Sequence, residues 1–329
     1  MTSARAFWVA APGRGELRAE PLPVPADDAV LVAVRVSAIS RGTEALVFSG
    51  RVPVSQYAAM RCPLQSGDFP GPVKYGYASV GVVAAAGARS QLDIGTRVFV
   101  LHPHQDRYVV PAALVVPIPD AVSDRRAALA ANMETALNAL WDACPRIGDR
   151  IAVVGGGVVG CCVAALAAAI PATRVTLVDI NPARAAVAAT LGMDFALPGD
   201  APGDADIVFH ASGSAAGLTT ALGLAGFEAT LVELSWYGDR AVSVPLGEDF
   251  HARRLTLMSS QVGHVAPARR ARRSRRERLQ QALALLADPR FDRLVDGETA
   301  FADLPATMAR LADPGEDVLC RLVRYDTAG

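Results

Sequence analysis

The chain is poor in several residue types that would mark particular protein classes. Its 329 residues include a single lysine, Lys74, and the net charge is −1 at pH 7. Neither nucleic acid nor an anionic membrane is therefore expected as a partner. Only five cysteines occur, without the spacing of a disulfide framework, which favours reduced thiols and a cytoplasmic location. Residues 1–10 also lack the layout of a secretory signal peptide.

One long apolar run stands out, residues 151–170, in which every residue is apolar or small. Three consecutive glycines near its start and charged flanking residues argue against a membrane-spanning helix. Four apolar residues lead instead into the segment 155–160, Gly-Gly-Gly-Val-Val-Gly, and an alanine-rich stretch of helical length follows. A Gly-x-Gly-x-x-Gly pattern between a strand and a helix is typical of a dinucleotide phosphate-binding turn.

The residues of this turn have separate predicted roles. Gly155 would permit the tight turn, and Gly157 would let the backbone approach a pyrophosphate. Gly160 would let the helix pack closely on the sheet. Val158 and Val159 would begin that helix, whose N-terminal N–H groups and positive dipole end attract phosphates.

An acidic residue follows the next predicted strand. Residues 174–178 read as a buried strand that ends at Asp179, 19 positions after Gly160. A carboxylate at this spacing binds both hydroxyls of an adenosine ribose and repels a 2′-phosphate. The sequence therefore predicts a nicotinamide dinucleotide site that favours NAD(H), with NADP(H) possible.

The order of predicted elements indicates an α/β protein. Residues 1 to about 118 are β-prone and interrupted by Pro- and Gly-rich turns, and Ser123 is a candidate N-cap for a helical stretch to residue 143. Beyond it, strands alternate with helices, which is typical of a doubly wound parallel sheet. These strands are predicted at 150–154, 174–179, 205–211, 228–235 and 254–260. Helices at about 268–287 and 303–312 and a strand near 318–324 follow.

Four segments resemble the medium-chain dehydrogenase/reductase superfamily of zinc-type alcohol dehydrogenases and zinc-free quinone and enoyl reductases. They are Val-Ser-Ala-Ile-Ser-Arg-Gly-Thr-Glu at 36–44, Gly-Tyr-Ala-Ser-Val-Gly-Val-Val at 76–83, Thr-Ala-Leu-Asn-Ala-Leu at 135–140, and 148–157. The first two are most similar to the bacteriochlorophyllide dehydrogenase-like branch. The resemblance implies a Rossmann doubly wound parallel sheet plus a β-rich GroES-like catalytic domain. The expected division is a catalytic domain at 1–120, a nucleotide-binding domain at 121–262, and a segment at 263–329 that returns to the catalytic domain.

The chain departs from the zinc enzymes of that superfamily at their metal ligands. By alignment those positions carry Ser40, Tyr77, Ala78 and Ala131, none of which is a good zinc ligand. A four-cysteine structural zinc lobe is also missing, since residues 84–110 contain no cysteine. We therefore expect no bound metal.

The resemblance also implies cofactor contacts outside the glycine turn. Arg41 and Arg321 fall at pyrophosphate-binding positions, and Arg184 matches a basic residue near the adenosine ribose. Further contacts to the ribose or nicotinamide are expected from Thr135, Ser212, Ser235 and Trp236. For each arginine, a solvated surface charge is the alternative.

Without a metal, hydrogen-bond donors would have to stabilise the charge that develops on a carbonyl oxygen. Tyr77 and Ser40, at the lost ligand positions, are the candidate donors; space filling and packing are the alternatives. Glu134 and His104 are candidate acid–base groups; Glu134 could instead pair with an arginine, and His104 could be an exposed loop residue. Lys74 and the adjacent Tyr75 are expected at the surface; a position at the rim of the substrate mouth is the alternative.

Seven arginines lie within residues 269–278. Because no aromatic residues are interleaved with them, a solvated helix face is expected; a phosphate or acidic-substrate site, or an NADP contact, is the alternative.

Three functions remain open from the sequence. The first is a zinc-independent NAD(P)(H)-dependent oxidoreductase that acts on a secondary alcohol or ketone of a specialised metabolite, in a cleft between domains. The others are an enoyl or quinone reductase, and a dinucleotide-binding scaffold or sensor without catalysis. A small molecule is the expected substrate, and a homodimer joined through the edge strand at 255–260 is the expected assembly.

Overall fold

The computed structural model describes residues 3–313 and 315–326, which form two compact units. Unit 1 comprises residues 1–131 and 283–329, and unit 2 comprises residues 132–282. Both limits of unit 2 lie later in the chain than the expected limits of the nucleotide-binding domain. The expected division into a catalytic domain, a nucleotide-binding domain and a returning segment stays a prediction.

Strands and helices are numbered in chain order. The strands are β1 (Ser3–Ala11), β2 (Arg14–Pro21), β3 (Ala29–Ala38), β4 (Ser66–Gly67), β5 (Val73–Lys74), β6 (Ser79–Ala86), β7 (Arg97–Val100), β8 (Arg107–Pro111), β9 (Val116–Pro117), β10 (Arg150–Val154), β11 (Arg174–Val178), β12 (Asp194–Ala196), β13 (Ala205–His210), β14 (Ala225–Glu233), β15 (Thr256–Ser259), β16 (Val295–Ala300) and β17 (Cys320–Arg324). The α-helices are α1 (Arg41–Phe48), α2 (Asp124–Ala127), α3 (Ala130–Ala143), α4 (Val158–Ala168), α5 (Arg184–Leu191), α6 (Ala215–Leu224), α7 (Arg275–Leu285) and α8 (Leu304–Leu311).

Unit 2 is built on a six-stranded parallel sheet in the order β12-β11-β10-β13-β14-β15. Its central strands are apolar and buried, as expected where helices cover both faces. The core between sheet and helices includes Val154, Val208 and Leu231. The strand order reverses between β10 and β13, and in open parallel sheets ligands bind at the carboxyl ends of the strands at such a reversal.

Unit 1 contains two sheets. A four-stranded sheet has the order β2-β1-β5-β4, and a seven-stranded sheet has the order β16-β17-β3-β6-β7-β9, with β8 also paired to β3. Buried positions alternate along much of β3, which is typical of a strand with one face on the core. Strand β3 ends at Ala38, and helix α1 begins three residues later, so the polar segment around Ser40 lies between them.

The predicted strands of unit 2 all occur, and Ser123 caps α2 by accepting a hydrogen bond from the Arg126 N–H. The short elements β2, β12, β16 and α1 were not predicted. Helix α7 begins at Arg275 rather than near 268, because Ser274 and Glu277 form a capping box. The Ser274 Oγ accepts from the Glu277 N–H at 3.1 Å, and the Glu277 carboxylate accepts from the Ser274 N–H at 2.7 Å.

The long apolar run at 151–170 divides into β10, the glycine turn and α4. Across the described ranges, no helix combines the length and the apolar character needed to cross a membrane.

Candidate functional site: a glycine turn in unit 2 and a polar network in unit 1

The glycine turn follows β10 at the reversal of the strand order. Gly155 has a φ of +109°, and a Cβ there would lie 2.6 Å from the backbone nitrogen of Ser212. A Cβ on Gly160 would collide with the carbonyl oxygen of Gly155. Gly157, by contrast, has nothing within 4 Å of a built Cβ. Two glycines thus allow close packing, while the middle one leaves open space above the turn.

Helix α4 begins directly at this open space. Val158 and Val159 form its first turn and are partly exposed, and the N-cap Gly157 supplies no side chain. Because the first N–H groups of a helix have no intrahelical acceptor, this end of α4 can donate to an anionic group.

Asp179 lies next to the same turn. One carboxylate oxygen, Oδ2, accepts from the Gly156 N–H at 2.5 Å, and Oδ1 accepts from the Asn181 N–H at 2.8 Å. Arg184 is also close, since a Cβ on Gly156 would lie 3.0 Å from its Cγ and 3.1 Å from Asp179 Oδ2. The acid and the arginine predicted near the adenosine ribose therefore converge on the glycine turn.

A second polar cluster lies at the carboxyl ends of β13 and β14. Ser212 and Ser235 were predicted here, and the Gly213 N–H donates to Ser235 Oγ at 3.0 Å. Sequence reasoning missed His210 and Glu233, the last residues of the two strands, which are direct partners in the strand register. Their imidazole Nδ1 and carboxylate Oε2 are 2.8 Å apart. Two polar residues ending neighbouring buried strands were the available signal.

Three further predicted cofactor residues lie at different places. Trp236 follows Ser235 and is partly exposed in unit 2, as is Thr135 within α3. Arg41 in unit 1 donates to the carbonyl oxygens of Leu311 and Asp313, at 3.3 and 3.0 Å.

Arg321, on β17 of unit 1, keeps an unsatisfied donor. Its Nε is buried and has no hydrogen-bond partner within the described part of the chain. A buried donor without an acceptor is costly, so such a group is a candidate for a ligand contact.

Tyr77 and Ser40 are brought together in unit 1. The Tyr77 hydroxyl is hydrogen-bonded to the side chains of Ser40 and Thr43. Burial, followed by the charge of Glu44, raises the pKa of Tyr77 above its ordinary value. The phenol therefore stays protonated at neutral pH and can act as a hydrogen-bond donor.

A buried chain of polar groups continues from α1. The Ser40 N–H donates to Glu44 Oε1 at 2.7 Å, and Glu44 Oε2 lies 2.9 Å from His104 Nε2. The other ring nitrogen, Nδ1, lies 2.7 Å from Ser37 Oγ, which in turn lies 2.9 Å from the Tyr325 hydroxyl. His104 is only 1% exposed, so the alternative of an exposed loop histidine is wrong.

The residues at the expected metal-ligand positions do not fit zinc. Ser40 and Tyr77 present hydroxyls, and Ala78 presents a methyl group, whereas catalytic zinc takes thiolate, imidazole or carboxylate ligands. Both ring nitrogens of the nearby His104 already have protein partners. Among the residues that the structure describes, no group of three or more His, Cys, Asp or Glu side chains could hold a metal ion.

Glu134 lies in an ion pair inside unit 2. Its Oε1 is 3.0 Å from Nε of Arg278, and Arg278 also donates to Asn138 and to the carbonyl oxygen of His264. Burial raises the pKa of Glu134, and the charge of Arg278 opposes that rise. The alternative of an arginine pair is therefore confirmed for this residue.

Two expectations about exposure need correction. Lys74 is buried, and its Nζ donates to Glu20 Oε2 at 2.7 Å and to Gln105 Oε1 at 2.8 Å. Tyr75 is also buried. The expected surface positions for these residues are wrong, because a charged partner and an amide satisfy the lysine inside unit 1.

The arginine-rich segment is exposed with one exception. Six of its arginines are exposed, and Arg278 is 1% exposed because it forms the ion pair with Glu134. The six other arginines are exposed as expected, but only Arg275 and Arg276 lie on α7, because that helix begins at Arg275. For Arg278 the expected exposure is wrong.

Residues 158–288 match the family model described as zinc-binding dehydrogenase. None of the curated proteins compared with the chain matches it. Solved structures do match. The 2R,3R-butanediol dehydrogenase of Bacillus subtilis is 19% identical with a TM-score of 0.77, covering 98% of this chain and 99% of the other.

Two further structures hold a nicotinamide cofactor. A short-chain alcohol dehydrogenase from Escherichia coli CFT073 complexed with NADH is 16% identical, with a TM-score of 0.76, covering 99% of this chain and 100% of the other. S. aureus TarJ in complex with NADPH is 15% identical, with a TM-score of 0.75, covering 98% of this chain and 99% of the other. Residues 158–288 thus match the zinc-binding dehydrogenase model, and the chain as a whole shares its fold with these solved dehydrogenase structures.

Proposed function

We propose that this protein is a zinc-independent, NAD(H)-preferring oxidoreductase that interconverts a secondary alcohol and a ketone. The observation that carries the proposal is the Tyr77 hydroxyl, held by Ser40 and Thr43 in unit 1 with a raised pKa. A protonated phenol is a suitable donor to a carbonyl oxygen that gains negative charge during hydride transfer. A specialised metabolite is the proposed substrate class, and a cytoplasmic homodimer is the proposed form.

The residues of unit 2 fit a dinucleotide. The open space at Gly157 and the first turn of α4 suit a pyrophosphate, and Asp179 suits a ribose with free hydroxyls. Arg321 in unit 1, with its unsatisfied Nε, is a further candidate for a phosphate contact. The nicotinamide, when bound, supplies or accepts the hydride.

The residues of unit 1 supply the hydrogen bond to oxygen and a buried chain of polar groups that can hold a proton. Tyr77 donates to the carbonyl oxygen in the reducing direction, and Ser40 holds the phenol in place. Glu44, His104 and Ser37 are joined by hydrogen bonds of 2.9 and 2.7 Å, and the carboxylate and the imidazole are groups that can take up and release a proton. Ketone reduction consumes one proton per hydride, so such a reservoir suits the reaction.

Direct titration tests the cofactor part of the proposal. We expect NADH to bind more tightly than NADPH, by fluorescence, and Asp179→Ala to weaken NADH binding by at least about tenfold. Tighter binding of NADPH would show that Arg184 overrules the carboxylate. Binding of neither cofactor would contradict the oxidoreductase function itself.

A substrate panel tests the reaction part, using ketones and conjugated enones with wild-type protein and with Tyr77→Phe. For a ketone reductase, we expect Tyr77→Phe to lower kcat by about 10²–10³-fold, as loss of one oxyanion donor does. Turnover of enones alone, with little effect of Tyr77→Phe, would favour the enoyl or quinone reductase. Tight NADH binding without turnover of any panel member would favour a scaffold or sensor.

A further inference from the structure

Three side chains at the carboxyl edge of the unit 2 sheet form a line of hydrogen bonds. Glu233 Oε2 lies 2.8 Å from Nδ1 of His210, and Nε2 of His210 lies 2.6 Å from Oγ of Ser212. His210 is fully buried, the Glu233 side chain is 16% exposed, and Ser212 is exposed. A buried imidazole therefore joins a carboxylate to the hydroxyl of an exposed serine.

The carboxylate is fixed by donors other than the imidazole. The Ser235 N–H donates to Oε1 of Glu233 at 2.7 Å, and the Tyr237 hydroxyl donates to Oε2 at 2.9 Å. Burial raises the pKa of Glu233, but its hydrogen bonds with His210 and Ser235 hold the pKa below its ordinary value. Glu233 is thus ionised at neutral pH and can only accept hydrogen bonds.

This ionised partner decides the tautomer of a neutral His210. Nδ1 must carry the hydrogen, because Glu233 only accepts. Nε2 is then a bare nitrogen that accepts the hydroxyl hydrogen of Ser212. Enzymes of acyl transfer activate a serine in this way: a base lies within hydrogen-bond reach of the serine hydroxyl, and a third group orients the base.

The start of α6 completes the surroundings of Ser212. Ser214, the N-cap, donates its N–H to Ser212 Oγ at 3.3 Å, and α6 extends over ten residues, Ala215–Leu224. A Cβ on Gly217, in the first turn, would lie 2.9 Å from His210 Nε2 and would collide with Ser212 Oγ. The missing side chain leaves room for the serine–histidine contact, and the helix N-terminus favours negative charge nearby.

We propose that Ser212 is a nucleophile activated by His210 and Glu233, and that unit 2 cleaves small activated esters through an acyl-serine. Ser212 Oγ bonds to the ester carbonyl carbon while its proton moves to His210 Nε2. The carbon–oxygen bond to the alcohol breaks, and the alcohol leaves with that proton. Water then gives a proton to Nε2 and attacks the acyl group, which leaves as the acid while Ser212 regains its proton. This activity goes beyond the proposed hydride transfer, and it uses Ser212, which is also expected from the sequence to contact the cofactor.

A fluorophosphonate probe tests the proposal on the intact wild-type chain. Such a probe phosphonylates an activated serine with loss of fluoride. We expect one adduct, located by peptide mass spectrometry at Ser212, and we expect His210→Gln to slow its formation by about 10²-fold or more. Glu233→Gln should slow it as well, whereas Thr219→Ala, at an exposed hydroxyl further along α6, should leave the rate of adduct formation at Ser212 unchanged.

The same samples are assayed for release of 4-nitrophenol from 4-nitrophenyl acetate and for NADH binding. Ester cleavage that disappears in Ser212→Ala supports the proposal. Absence of any Ser212 adduct on folded wild-type protein overturns the proposal. Labelling of a folded His210→Gln variant at the wild-type rate overturns it as well. NADH binding is scored separately, so failure of the oxidoreductase proposal and failure of this one give different results.

Discussion

At the scale of single residues, the buried guanidinium of Arg278 depends on its ion pair with Glu134. Its side chain is 2% exposed, and that of Glu134 is 6% exposed. Removing one member of a buried ion pair costs about 3–5 kcal/mol, because the other charge is left without a partner. We therefore expect Arg278→Met to lower the free energy of unfolding by about that amount, measured by urea denaturation.

Two controls isolate the pair. Arg272→Ala removes an exposed arginine of the same segment and should change the free energy of unfolding by less than about 0.5 kcal/mol. Arg278→Met combined with Glu134→Leu removes both charges and should recover much of the loss. Equal destabilisation by Arg278→Met and Arg272→Ala would contradict this account.

His102 gives unit 1 a pH-dependent stability. Its ring stacks on Tyr108 with centroids 3.5 Å apart, and burial lowers the pKa of His102 to about 3. The unfolded chain has an ordinary histidine pKa near ~6.5, so it binds the proton more readily than the folded chain. The stabilisation is complete above about pH 6.5 and is lost as the pH falls toward 3, by about 1.4 kcal/mol per pH unit.

His102→Gln tests this linkage through urea denaturation between pH 6.5 and 4.5. We expect the variant to show a shallower loss of stability with falling pH than wild type, by about 1.4 kcal/mol per unit. The control is His251→Gln, which changes an exposed histidine and should keep the wild-type slope. Identical slopes in wild type and His102→Gln would rule out the buried neutral imidazole.

At the scale of elements, different glycines of the turn serve packing and cofactor binding. Gly160→Ala places a Cβ against the carbonyl oxygen of Gly155, so we expect a clear loss of thermal stability. Gly157→Ala meets no atom within 4 Å and has an ordinary φ of −73°. We expect it to keep its Tm within a few degrees while weakening NADH binding at least about tenfold, since the methyl group occupies the pyrophosphate space.

Calorimetry and NADH fluorescence titration measure the two effects side by side. Gly199→Ala, which also meets no atom within 4 Å but lies outside the turn, should change neither. Unaltered NADH affinity in Gly157→Ala would place the pyrophosphate elsewhere.

Elements were predictable where the signal was local. Apolar runs separated by a glycine turn identified β10 and α4, and Asp179 followed from its spacing. The capping box at Ser274 was also local and would have placed the start of α7. Short elements such as β12 contain too few residues for a pattern.

The candidate site could be predicted only in part, because its contacts join distant segments. His104 meets Glu44 across 60 positions, and Arg278 meets Glu134 across 144. The pairing of His210 with Glu233 depends on the register of two parallel strands. A single sequence does not specify that register residue by residue, since most buried positions of the two strands are apolar and do not distinguish one pairing from the next.

At the scale of the whole molecule, the open edge of the unit 2 sheet bears on assembly. Strand β15 ends the sheet order, and Leu257 on it is 37% exposed. Its outer side pairs with no strand in the described ranges. An unpaired strand edge can join the same edge of a second copy around a twofold axis, which satisfies its backbone groups. The predicted homodimer would use this edge.

Lysines on an edge strand oppose such pairing, because the twofold axis brings like charges together. We expect wild-type protein to run as a dimer of the 34.3 kDa chain in light scattering after gel filtration. Leu257→Lys combined with Ser259→Lys, on one face of β15, should shift it to the monomer. Phe227→Lys changes an apolar residue of β14 that is 66% exposed and should leave the dimer intact. A monomeric wild type, or a dimer that survives the two edge lysines, would remove β15 from the interface.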